Sequence, residues 1–194
     1  MATIAWDVDD VLNNLMQEWF FTEWKIKHPQ CQADIEDLLE NPPHKILGVR
    51  EDEYLESLDS FRVSTGYPRM SPVDKVLQWF MQHGHKHRHI AVTSVPHAFA
   101  PTSAEWVLHH FGAWIRTFHF VPSPRNGDAL PRYDTGKGDF LRWIQKVDLI
   151  VDDNEENVAE AISTGVKGLV FPRPWNASRN VPVEKILAGL SSLP

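Results

Sequence analysis

The sequence predicts an α/β protein: an open, parallel, Rossmann-like sheet flanked by helices, with a small helical cap inserted after the first strand. Three observations predict it. Five short apolar or β-branched runs recur along the chain, amphipathic segments separate most of them, and one long stretch after the first run has helical spacing but no strand. Strands joined through helices pair in parallel, because a parallel neighbour needs a crossover connection.

The five runs are Thr3–Trp6, His89–Val92, Thr117–Val121, Leu149–Val151 and Gly168–Phe171. Each is too short for a buried helix and ends at polar or turn-forming residues. The helices between them carry readable ends. Ser71-Pro72 has the form of an N-cap with proline at the first helical position, and Gly84 closes the stripe of Val73, Val76, Leu77 and Phe80. Thr102 to Glu105 reads as a capping box before Trp106, with Gly112 as its stop. Asn154 opens another helix that Gly165 ends, with Val158, Ala161 and Ile162 on one face, and Val183 to Leu190 forms a last packing helix.

From Val11 to about Met70 the alternation breaks. Leu12, Leu15, Met16, Trp19, Phe20 and Trp24 follow helical spacing, and Tyr54, Leu55, Leu58 and Phe61 form a second, weaker stripe beyond Pro42-Pro43. Residues 1–12 and 69–194 therefore read as the catalytic core and residues 13–68 as a helical cap, hinged near Asn13 and near Gly66–Pro68.

The chain has 194 residues, 42% of them hydrophobic and 23% charged, enough for a buried core in one domain of ordinary size. A net charge of -7 without a basic run excludes a broad nucleic-acid-binding face, which needs a cationic surface. Cys31 is the lone cysteine, so no intrachain disulfide forms. Met1 to Asp10 lacks the basic start and long apolar stretch of a signal peptide, and no segment has the roughly 20 apolar residues of a membrane span. The expectation is a cytoplasmic protein with neither a membrane nor a nucleic-acid polymer as partner.

In open α/β sheets ligands bind beyond the carboxyl ends of the strands. Three predicted strands end there in reactive residues: Asp7-Val8-Asp9-Asp10, Thr93-Ser94 and Asp152-Asp153, while Lys137 sits between Gly136 and Gly138 before a helix. Carboxylates gathered in one crevice repel one another, and burial raises their pKa values further. A hard dication relieves the conflict. Mg²⁺ takes oxygen ligands and keeps positions for water and phosphate, so Asp7, Asp152 and Asp153 are candidate ligands, with Asp9 joining through its main-chain carbonyl. Zinc is a poor candidate, with no Cys/His pair near these strand ends. Asp7 is the candidate nucleophile, forming an aspartyl-phosphate, and Asp9, two residues on, the candidate acid and base. Thr93, Ser94 and Lys137 are candidates for binding the non-bridging phosphate oxygens. Asp10 is expected to cap the following helix.

Asp-Val-Asp-Asp-Val-Leu, Ala-Val-Thr-Ser, the lone lysine and Leu-Ile-Val-Asp-Asp-Asn, in that order, resemble the four motifs of the haloacid dehalogenase-like phosphohydrolases. The resemblance spans most of residues 1–12 and 69–176. Asn-Glu-Glu-Asn-Val after Asp152 and the later Phe-Pro-Arg-Pro-Trp-Asn are more narrowly similar to the C-type 5′(3′)-deoxyribonucleotidases. The resemblance implies a Mg²⁺-dependent phosphatase of a small phosphorylated substrate, with Asp7 as nucleophile, Asp9 as acid/base, Thr93 and Lys137 on phosphate and Asp152 and Asp153 on the metal. The family often has glycine where this chain has Asp10. Trp19, Phe20 and Trp24 are candidates for stacking on a nucleobase, which makes a nucleoside monophosphate the expected substrate and another small phosphomonoester the alternative.

Four other readings compete with this one. Gly136-Lys137 is not a P-loop, since Pro131 stands where the earlier glycine belongs and Gly138 where Ser or Thr belongs. A phospho-accepting receiver would carry its paired acids first, whereas Asp152-Asp153 come last; a silent binding module on the same fold would lack part of the motif set. His83, His85, His87 and His89 would share one face of an extended chain and could bind a transition metal, or else form a solvated turn.

Overall fold

The computed structural model describes residues 1–121, 123, 131 and 133–193. Among the described residues, strands β1 (Thr3–Trp6), β2 (Arg88–Thr93), β3 (Ile115–Phe120), β4 (Leu149–Asp152) and β5 (Lys167–Val170) form one sheet in the order β3-β2-β1-β4-β5. Every pairing is parallel. The expected fold class holds, and each predicted strand is present with its ends within two residues of the expectation.

Side chains alternate across the sheet with period two. Ile4, Trp6 and Val151 enter one apolar cluster, with Phe80 of α5 (Asp74–His83), Val107 of α6 (Ala100–Phe111) and Leu190 of α9 (Val183–Ser191). Ala5 and Ile150 enter the other, with Phe140 of α7 (Lys137–Ile144) and Ala161 of α8 (Glu155–Ser163). The sheet is thus covered on both faces, as all-parallel sheets require.

Between β1 and α5 the chain is helical. α1 (Leu15–Trp19) runs through a π-helical turn at Phe20–Trp24 into α2 (Lys25–Lys27); α3 (Glu51–Val63) and α4 (Gly66–Arg69) follow. An isolated antiparallel bridge joins Asn13 to Pro72, and Val73 N–H donates to Leu12 O over 2.8 Å. The insertion therefore leaves and rejoins the sheet at one point. No helix among the described residues is long and apolar enough to cross a membrane.

Helix starts differ from expectation at two places. Ser71-Pro72 does not cap α5, which begins at Asp74, because Pro72 and Val73 are held extended against residues 12 and 13. Thr102 to Glu105 lies inside α6, which begins at Ala100 with Pro101 in its first turn, where no N–H is needed. Asn154 does cap α8, its side chain accepting from the N–H groups of Glu156 and Asn157, and Gly165 follows at φ +90. Ile162, expected on the buried face, is exposed.

The histidine tract does not form a shared face. Gly84–Lys86 is a 3-10 turn, His87 stacks at 6.4 Å on Trp79, and His89 lies in the core. Trp6 Nε1 only donates, and it donates to His89 Nδ1 over 3.0 Å. His89 is therefore the Nε2–H tautomer, donating to Gly84 O at 2.8 Å. Burial lowers its pKa from 6.5 to about 4. The folded state thus binds fewer protons than the unfolded state between those values, and stability is lost as pH falls from 6.5 toward 4. His89→Gln is expected to flatten that acid limb by roughly 3 kcal/mol in urea titrations across this range. Parallel pH profiles for the two chains would refute the assignment.

Candidate active site

Asp7 continues β1 by one rung, its N–H donating to Val151 O over 2.9 Å. The chain then turns sharply. Leu12 and Asn13 N–H groups return to Val8 O, and Asp10 takes φ +62, a left-handed conformation that glycine adopts freely and aspartate tolerates. The Asp10 carboxylate accepts from Met16 N–H at 3.0 Å, the expected capping role in the first turn of α1.

Three elements bring the other groups to the same edge. Thr93 and Asp152 end β2 and β4, the two neighbours of β1. Lys137 is the first residue of α7, and its Nζ lies 2.8 Å from Asp7 Oδ1 and 2.6 Å from Asp152 Oδ2. This lysine is 1% exposed. Its flanking glycines let α7 start against α8: a Cβ on Gly136 would come within 2.7 Å of Glu160 Oε2. Asp152 also accepts from Asn154 N–H and Asn157 Nδ2.

One carboxylate oxygen from each of Asp7, Asp152 and Asp153 lies within 4.8 Å of the others. Burial, with repulsion from Asp152 and Asp153 set against attraction to Lys137, raises the Asp7 pKa well above the usual range. Burial and the Asp152 charge push Asp153 up to about 7, and burial chiefly raises Asp10 to about 7. Burial opposes the Lys137 charge, yet Asp152 and Asp7 outweigh it and raise its pKa. Five carboxyl groups, those of Asp7, Asp9, Asp10, Asp152 and Asp153, face three cations, Lys137, Arg62 and Arg173, so that full ionisation would leave the set two positive charges short. A hard dication with oxygen preference fits that deficit and that donor set.

Asp9 is directed elsewhere. Its carboxylate is outside the three-aspartate group and accepts from Asn13 Nδ2, Tyr67 Oη and an Arg62 terminal nitrogen. Nothing local in the sequence marks Tyr67 or Arg62 as partners of Asp9. The contacts of Arg173, Trp175 and Asn176 are likewise set by the fold. Arg173 donates to Asp10 O and Asn13 O, Trp175 Nε1 to Asp153 Oδ2 at 2.7 Å, and Asn176 Nδ2 to Asp153 O. The segment after β5 thus ties both acidic loops together; its place beyond a strand's carboxyl end was the available signal.

The edge opens into a cleft of about 840 Å³ lined by Asp7, Asp9, Thr93, Ser94, Lys137 and Asp153, with α3 supplying the opposite wall through Glu51, Asp59 and Arg62. Ser94 is exposed and Thr93 buried. The expected stacking residues do not reach this cleft. Trp19 and Phe20 are 0% exposed and Trp24 1%, because the apolar face of α1 packs under α3: Trp19 meets the Tyr54 ring edge-on at 5.2 Å and donates to Ser57 Oγ.

Known structures share this architecture. A haloacid dehalogenase-like family hydrolase from Streptococcus pneumoniae superposes with a TM-score of 0.65 at 12% identity, over 98% of each chain. A HAD family hydrolase from Deinococcus radiodurans, solved with bound phosphate and sodium, gives 0.60 at 11% identity over 98% of this chain and 95% of that one. The fold is haloacid dehalogenase-like. A HAD-superfamily hydrolase of subfamily IA from Geobacter sulfurreducens gives 0.51 at 11% identity, covering 88% and 86%. No family model and no curated protein matches the chain. In this fold Asp7, Thr93, Lys137 and Asp153, one from each of the four sequence motifs, line one cleft.

Proposed function

We propose that this chain is a Mg²⁺-dependent phosphomonoester hydrolase that works through an aspartyl-phosphate on Asp7. The observation that carries the reading is the buried Lys137 ammonium shared by Asp7 and Asp152 at the floor of a cleft that Thr93 and Ser94 also line. Asp7, Asp152, Asp153 and the Asp9 main-chain carbonyl would hold Mg²⁺, which would neutralise the acids and polarise the phosphate.

Lys137 and Thr93 orient the non-bridging oxygens, and Lys137 holds the Asp7 carboxylate toward phosphorus. Asp7 attacks; the ester oxygen leaves and takes a proton from Asp9. Asp9 then removes a proton from the water that releases phosphate, which restores both carboxyl groups. Residues 13–68 act as a cap that screens this chemistry from bulk water.

The substrate is a small phosphomonoester. A nucleoside monophosphate now draws support only from the resemblance around Asp152 and Trp175, since Trp19, Phe20 and Trp24 are core residues and the cleft's described aromatic lining is Tyr54, itself buried. The test is phosphate release across nucleotides, sugar phosphates and glycerol phosphate. Turnover is expected with Mg²⁺ and none in chelator, with kcat/KM on nucleotides and glycerol phosphate within about tenfold, the differential of roughly 1.4 kcal/mol that base recognition would exceed. Full activity in chelator would end the reading.

A further inference from the structure

We propose that Tyr67 and Arg62 are positioning residues through which the helical insertion aims the Asp9 carboxylate. The inference rests on the phosphatase reading above. Asp9 sits on the loop after β1, yet two of its three donors come from the insertion: Tyr67 of α4 over 2.8 Å and Arg62 of α3 over 3.1 Å, 58 and 53 residues away in sequence. Asn13 Nδ2 completes the set at 3.0 Å. Tyr67 and Asn13 share Oδ1 while Arg62 takes Oδ2, so both the direction and the roll of the carboxylate are determined.

Arg62 is itself held. Asp59, one turn back on α3, accepts from its other terminal nitrogen at 3.3 Å, and the Phe99 ring lies 5.9 Å from the guanidinium carbon. Its Nε is buried without a hydrogen-bond partner among the described residues, so the guanidinium is oriented toward Asp9 at the expense of its own saturation. Tyr67 is 2% exposed. A buried tyrosine and a buried arginine meeting on a carboxylate that belongs to neither helix couple the docking of the insertion to the aim of the acid.

Asp9 acts twice. As the Asp7 oxygen bonds to phosphorus, the ester P–O bond breaks with its electron pair on the leaving oxygen, and Asp9 supplies the proton that this oxygen takes. In the second half a water oxygen bonds to phosphorus, the acyl-phosphate bond returns its pair to Asp7, and Asp9 takes the water proton. An alkoxide leaving group needs the first proton; 4-nitrophenolate does not. Misaimed Asp9 therefore slows alkyl esters in the first half, and all esters in the second.

The experiment compares pre-steady-state rates of phospho-enzyme formation from glycerol phosphate and from 4-nitrophenyl phosphate, with Mg²⁺, in the full chain and in Tyr67→Phe and Arg62→Gln. The alkyl-to-aryl rate ratio is expected to fall roughly 10- to 100-fold in each variant, within the range of general acid–base catalysis. Decay of the phospho-enzyme should slow by a similar factor, and Arg62→Lys should recover part of the ratio. An unchanged ratio in variants that melt like the parent overturns the inference, as does an equal loss on both esters. No phospho-enzyme in the parent chain would instead remove the phosphatase reading beneath it.

Discussion

Asp7→Asn is expected to reduce Mg²⁺-dependent phosphate release by roughly 10⁴-fold or more, the scale seen when a nucleophile is removed from a concerted group. The amide is a poor nucleophile and a poor metal ligand, so both proposed uses of the side chain vanish together. Loss of folding would give the same activity, and stability separates the two. Asp7 is buried beside Asp152 and Asp153, and its raised pKa means that its ionised form is disfavoured in the folded state. A carboxyl group shifted that way weakens the metal-free protein at neutral pH, and a neutral amide removes that cost. The variant should therefore melt at or above the parent temperature without metal, while losing the hydroxylamine-sensitive phospho-enzyme. Substantial turnover in a folded Asp7→Asn chain would transfer the nucleophile's role to another group.

Lys137→Met is expected to be the more damaging change to the fold. The ammonium lies within 2.8 Å of one buried carboxylate and 2.6 Å of another. Methionine fills a similar volume but leaves both acids without their shared cation. Breaking a buried pair from one side costs about 3–5 kcal/mol, more than the pair itself contributes, because the abandoned charge stays desolvated. Urea unfolding without metal should show that loss. Adding Asp152→Asn should recover part of it, since one abandoned charge is then gone; strict additivity in this double-mutant cycle would show that the two side chains do not interact. Catalysis should fall about 10²–10³-fold in folded Lys137→Met, as for loss of one group that stabilises transition-state charge.

Parts of the site were legible because they are built from short-range chemistry on regular elements. Asp7, Thr93 and Asp152 each follow an apolar run, and once those runs are parallel strands their ends must share an edge. Asn154 reads as a cap because its side chain reaches N–H groups only two and three residues ahead. Asp9 illustrates the opposite case. Its position was visible, but the direction of its carboxylate is set by Tyr67 and Arg62, which carry no local pattern and arrive through the docking of α3 and α4.

The aromatic residues of α1 and the π-helical turn after it mark where sequence periodicity stops being informative. The spacing of Trp19, Phe20 and Trp24 predicts an apolar helix face, and that face exists. Whether it lines a cleft or a core depends on what packs against it, and α3 packs against it, with Tyr54 edge-on to Trp19. Strand number, the parallel sense of the sheet and the edge that gathers Asp7, Thr93 and Asp152 were determined by the sequence alone, because each follows from hydrophobic period and strand-end residues within a few positions. The aim of Asp9, the burial of the aromatic face, and the tie from Arg173 and Trp175 to Asp10 and Asp153 were decided by tertiary structure. Those contacts join residues from 22 to 163 positions apart, and side-chain direction across such distances is set by packing, not by local propensity.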